Sequence, residues 1–91
     1  MGLKSTTACL GYQQITSLTS STALTVPAGA TLALIVPETQ NVRWRDDGVA
    51  PTASVGMLVP ANSSMSYDGD LKAIRFIAAT SGAILNVSYY A

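Results

Sequence analysis

Residues that reverse a backbone punctuate this chain at short intervals. Pro27-Ala28-Gly29, Pro37, Asp46-Asp47-Gly48, Pro60-Ala61-Asn62, Asp68-Gly69-Asp70 and Ser81-Gly82 recur about every 8 to 12 residues over most of the chain, the spacing of an all-β domain. Proline presets the first corner of a turn, glycine takes positive φ, and aspartate hydrogen-bonds its own backbone. The stretches between them are too short for helices and carry no 3.6-residue period. Ala78–Ala83 has the composition for one helical turn, which Thr80 and Gly82 prevent from extending. The expected fold is therefore all-β: a single small antiparallel β-sandwich, jelly-roll-like, of seven to eight short strands.

Val42–Gly48, Val-Arg-Trp-Arg-Asp-Asp-Gly, is the segment the other strands are expected to organise around. In extended backbone Val42 and Trp44 point to one side as core anchors, while Arg43 and Arg45 face the other. Thr22–Val26 alternates with Leu24 and Val26 on one face. Thr31–Val36 is the most apolar strand, with Leu32, Leu34 and Val36 assigned to the core and Ala33 and Ile35 to a reverse face that a neighbour must cover. Pro37 is expected to end it. Gly56–Val59 and Ser63–Tyr67 are shorter strands, the latter with Met65 and Tyr67 on one side. Leu71–Ala78 reads as one alternating strand, with Ile74, Phe76 and Ala78 opposed to Leu71, Ala73 and Ile77. Ile84–Tyr90 closes the domain with Leu85, Val87 and Tyr89 inward. Residues 1–14, broken by Gly11, are assigned to an N-terminal arm or edge strand, and residues 15–91 to the sandwich.

A chain of 91 residues is one domain and buries only about 60 to 65 per cent of the surface its unfolded form exposes. The usual reinforcements are missing. Cys9 is alone, so no internal disulfide forms, and without histidine a structural zinc site is excluded. Apolar residues make up 48% and charged residues 11%, with a formal net charge of zero. A free domain of this size normally carries more charge. Part of the surface is thus expected to be covered, by sister copies or a larger assembly.

Neutrality without a basic cluster argues against a nucleic-acid partner. The longest apolar run, Leu32–Val36, is far shorter than the roughly 20 residues of a membrane span. Lys4 is followed by Ser5, Thr6 and Thr7 where a signal peptide would have its apolar region, so synthesis in a reducing cytoplasm is expected, without processing.

The same inventory leaves little chemistry. The commonest general base is absent, and Cys9 has no neighbour in sequence to activate it, so no catalytic and no cofactor-binding residue is assigned. Asp46, Asp47, Asp68 and Asp70 lie in two turns that a sandwich can bring to one end, where four carboxylates suit calcium or a glycosidase-like pair. The simpler reading makes each a turn residue, with Asp46 and Asp47 pairing with Arg43, Arg45 or Arg75, and no metal site is assigned. Arg43 and Arg45 read as a salt-bridged surface or subunit contact rather than a phosphate site. Tyr67, Tyr89 and Tyr90 read as core and rim packing, with a carbohydrate platform as the alternative. Asn62-Ser63-Ser64 and Asn86-Val87-Ser88 match the glycosylation pattern but carry no weight without a secretion signal.

The block Val42–Ala61, followed by Tyr67, Gly69 and Leu71-Lys72-Ala73-Ile74-Arg75-Phe76-Ile77 and closed by Leu85-Asn86-Val87-Ser88-Tyr89-Tyr90, resembles a family of small virion structural proteins of tailed bacteriophages. The resemblance implies a non-enzymatic particle component, made in the bacterial host cytoplasm and resident in the virion. Within that family it implies a head decoration or cement protein bound to the major capsid protein, with a tail or head-fibre module for a host receptor or glycan as the alternative. The apolar reverse face of Thr31–Val36 and the N-terminal arm are the expected contacts, between copies or with the shell.

Overall fold

The computed structural model of the chain describes residues 8–91. The first seven residues of the expected arm lie outside them. Eight strands are formed: β1 (Cys9–Ile15), β2 (Thr22–Ala23), β3 (Leu32–Glu38), β4 (Val42–Arg45), β5 (Met57–Val59), β6 (Met65–Tyr67), β7 (Arg75–Ala78) and β8 (Ile84–Tyr90). They make two four-stranded sheets, in the orders β1-β8-β3-β6 and β2-β7-β4-β5, and every pairing is antiparallel. This connectivity, in which β1 returns to β8, β2 to β7, β3 to β6 and β4 to β5, is that of a jelly roll.

One core lies between the sheets. Ala33, Ile35, Leu85, Val87 and Tyr89 of the first sheet meet Val42, Val59 and Phe76 of the second, with Leu18, Leu24, Leu71, Ile74 and Ala83 filling in from the connections. β8 behaves as its alternation requires, burying Leu85, Val87 and Tyr89 and turning the intervening residues outward. Met65 and Tyr67 of β6 also pack against the core.

Four local expectations are corrected. In β3 the faces are reversed: Ala33, Ile35 and Pro37 are buried, while Leu34 is exposed and Leu32 and Val36 are half-buried. A strand apolar on both sides does not specify its own face. Here the cross-strand partners decide, since Ala33 lies opposite Tyr89, Ile35 opposite Val87 and Pro37 opposite Leu85, all of which point inward. Pro37 does not end β3, because β6 covers β3 only from Ala33 to Ile35 and leaves the open edge at which strands tolerate proline.

Leu71–Ile74 is a tight turn rather than strand, closed by Ala73 and Ile74 N–H groups donating to the Asp70 carbonyl at 3.0 and 3.2 Å. That geometry puts Leu71 and Ile74, three residues apart, on the same buried side. Gly11 does not break β1: the strand runs through it with a bulge between Cys9 and Gly11, a distortion at home on a sheet edge. Trp44 is half-buried against the core, and the largest wholly buried side chains are Tyr89 and Phe76.

Candidate interaction surface

The two acidic turns come together at Tyr67. Its hydroxyl donates to Asp46 Oδ2 at 2.6 Å, and its ring meets Trp44 edge-on with centroids 5.9 Å apart. A β-carbon on Gly69 would stand 2.4 Å from the Tyr67 hydroxyl, so the 68–70 turn can close over the ring only with glycine there. Burial, then the bond to Asp46 and the charges of Asp46 and Asp70, push the phenol up to about 12, against a smaller opposing effect of the Asp70 backbone.

Asp47 and Asp70 serve their own turns. Asp47 takes both Nε and Nη2 of Arg45 and accepts from Val49 N–H at 3.4 Å. The Arg45 bond holds its carboxyl below the usual range, with burial opposing and the Val49 bond assisting, and raises the guanidinium in turn. Asp70 Oδ1 accepts from Lys72 N–H at 3.1 Å. Among the described residues no group of three or more His, Cys, Asp or Glu side chains could hold a metal ion.

Among the described residues Arg43 makes no ion pair. Its Nε and Nη1 donate to the carbonyls of Ala53 and Gly56 at 3.1 and 2.9 Å, stapling the 49–56 connection to the back of β4. The tyrosines do not share a face. Tyr89 points into the core, where its hydroxyl donates to Gln13 Oε1 at 2.7 Å and burial raises the phenol to about 12. Tyr90, the next residue, points outward and is half-buried. Cys9 is exposed, its sulfur 3.7 Å from Ser88 Oγ.

What the surface does offer is exposed apolar area in two places. At the edge of the second sheet Met57 and Leu58 of β5 are 60% and 48% exposed, with Val49 and Val55 nearby in sequence. An open groove of about 430 Å³ runs there between Trp44, Met57 and Val55, rimmed by Arg45, Asp46 and Asp47. On the outer face of the first sheet Tyr12 is 63% and Leu34 38% exposed. The proline, glycine and aspartate turns mark where strands stop, but only the sheet order shows that β5 is an edge and that the outer residues of β3 are uncovered among the described residues.

No family model matches this chain, and neither a curated protein nor a solved structure matches it.

Proposed function

We propose that this chain is a non-enzymatic structural protein of a tailed-bacteriophage virion, a head decoration or cement protein that binds the major capsid protein and stabilises the shell. The observation that carries the reading is the β5 edge: Met57 and Leu58 on a strand paired on one side only, beside the Trp44 groove. Large apolar side chains on an unpaired strand edge are an association surface unless something covers them. Two further points support it. The sequence block from Val42 to Tyr90 resembles phage virion proteins, and the jelly roll is a fold of viral capsid and lectin domains, an analogy of fold rather than of site.

The mechanism follows from area. Each copy docked across a boundary between shell subunits opposes their separation by the free energy of its own contacts, and about 800 Å² per partner is ordinary for specific association. Many copies on one shell act together through multivalency. The test is cosedimentation of the purified protein with expanded empty capsids, followed by thermal disruption of the particles. Saturable occupancy and a higher disruption temperature are expected, with occupancy lost in Leu58→Arg; absence of any association with capsids refutes the reading.

A further inference from the structure

The outer face of the sheet β1-β8-β3-β6 differs from the rest of the surface in charge. Its strands carry one charged side chain, Glu38, at the end of β3. Every other charged side chain among the described residues lies in β4, in β7 or in the segments 46–47 and 68–72. Across the middle of the face the register sets Tyr12, Ser88, Leu34 and Ser66 in one row, and the next row is Gln14, Asn86 and Val36.

Its polar centre is already saturated. Asn86 Oδ1 accepts from the Tyr12 hydroxyl at 2.6 Å and from Gln14 Nε2 at 3.0 Å. Asn86 Nδ2 donates to the Val36 carbonyl at 3.2 Å and to Glu38 Oε1 at 2.7 Å. A side-chain amide has two donor hydrogens and two acceptor lone pairs, so none is left for water. A surface asparagine has no need of this, because water serves it equally well. With the bonds supplied internally, removing water from the face leaves the amide without an unmet partner, the term that otherwise opposes burial of polar groups.

We propose that this face is the interface of a homodimer, two copies of the chain packing sheet upon sheet. A face whose one charge, Glu38, lies at its end gives a charged partner surface little to complement, but it fits its own copy with little like-charge repulsion. A two-fold axis lying between the sheets and across the strands sets the two Glu38 side chains at opposite ends of the contact. Stacked sheets sit about 10 Å apart, and four strands at roughly 4.8 Å spacing and about 23 Å length make a patch of a few hundred Å². That is below the standard 800 Å² or so per partner, so the dimer forms and dissociates over an accessible concentration range.

Sedimentation velocity and light scattering over a concentration series of the full chain test this, together with the reactivity of Cys9, which lies on this face beside Ser88, toward a small thiol reagent. A monomer–dimer equilibrium is expected, with Cys9 modification slowing in proportion to the dimer fraction. Leu34→Arg puts an unpaired charge at the centre of the contact and weakens the dimer by about 100-fold or more, whereas Leu58→Arg at the β5 edge leaves it unchanged. Circular dichroism establishes that Leu34→Arg is folded, and Ser88→Lys serves in its place if it is not. A chain that stays monomeric to its solubility limit overturns the proposal, as does a dimer that survives both first-sheet variants or is broken by Leu58→Arg. Capsid cosedimentation separates this from the shell-binding reading. A monomer that binds capsids and loses them in Leu34→Arg refutes the homodimer and leaves shell binding standing.

Discussion

The two sheets share a core and present unlike surfaces. The first has three strands of seven residues, one charge and an outer face stitched by Asn86. The second has strands of two to four residues, carries Arg43, Arg45 and Arg75, and relies on side chains such as Arg43 to hold its connections. Long paired strands satisfy their own backbone, so the first sheet has no need of charged side chains. Short strands leave carbonyls in the loops, and Arg43 of the second sheet holds two of them, while Arg45 pairs with Asp47. Among the described residues charge is thus concentrated in the second sheet and its turns, and a face with one charged side chain is what remains.

The comparison breaks first at the shared core, where the sheets should behave alike. Phe76→Ala on the second sheet and Ile35→Ala on the first remove wholly buried side chains and are each expected to cost about 2 to 5 kcal/mol in urea unfolding. A difference of more than a few kcal/mol between them would mean two cores rather than one. Next comes the corner that ties the sheets together. Gly69→Ala drives a β-carbon into Tyr67 and is expected to cost about 1 to 3 kcal/mol. Full recovery in the double variant Gly69→Ala/Tyr67→Phe would be against expectation, because the ring carbons are also in the way.

The outer faces should then diverge. Asn86→Ala leaves the Val36 carbonyl, the Tyr12 hydroxyl and Glu38 short of partners on a half-buried site and is expected to cost about 1 to 2 kcal/mol. Arg43→Ala should cost less globally but expose the 49–56 connection to limited proteolysis, which a protease time course reads directly. Alkaline pH offers a finer probe. Tyr67 and Tyr89 are both raised to about 12, above the unfolded value near 10, so the unfolded chain loses phenolic protons first. Stability is full below pH 10 and falls between roughly 10 and 12; removal of the Tyr67 share in Tyr67→Phe should flatten that fall in chemical unfolding at stepped pH. Smallest of all, Asp47→Asn removes a solvent-accessible surface pair with Arg45, and no measurable change in thermal midpoint is expected.

Much of the architecture is readable from residue order alone, and the exceptions share a cause. The turns at Gly29, Gly48 and Gly82 are marked by glycines that do take positive φ, and β8 declares its faces because its alternation is one-sided. β3 does not, since Leu32, Leu34 and Val36 are as apolar as Ala33 and Ile35, and the choice is made by Val87 and Tyr89 some fifty residues away. Leu71 and Ile74 mislead for a related reason: a short alternating stretch fits either period until Asp70 is seen to accept from the two N–H groups above it. Among the candidate site residues, the meeting of Asp46 with the 68–70 turn was suggested by the pairing of acidic loops, whereas Asn86 was hidden. Nothing in a lone asparagine between Leu85 and Val87 announces four bonds to residues far off in the chain, three of them to side chains and one to a backbone carbonyl.

The pairing of β1 with β8 joins Cys9 to Tyr90 and Ile15 to Leu85, and β8 lies between β1 and β3 in the first sheet. On a translating ribosome, the first sheet therefore has no centre until the final seven-residue strand has cleared the exit tunnel, and assembly must wait for the longest loop closure in the molecule. Nascent chains arrested before Ile84 should show no folding force and remain open to protease, with cooperative resistance arriving in one step once Tyr90 is free.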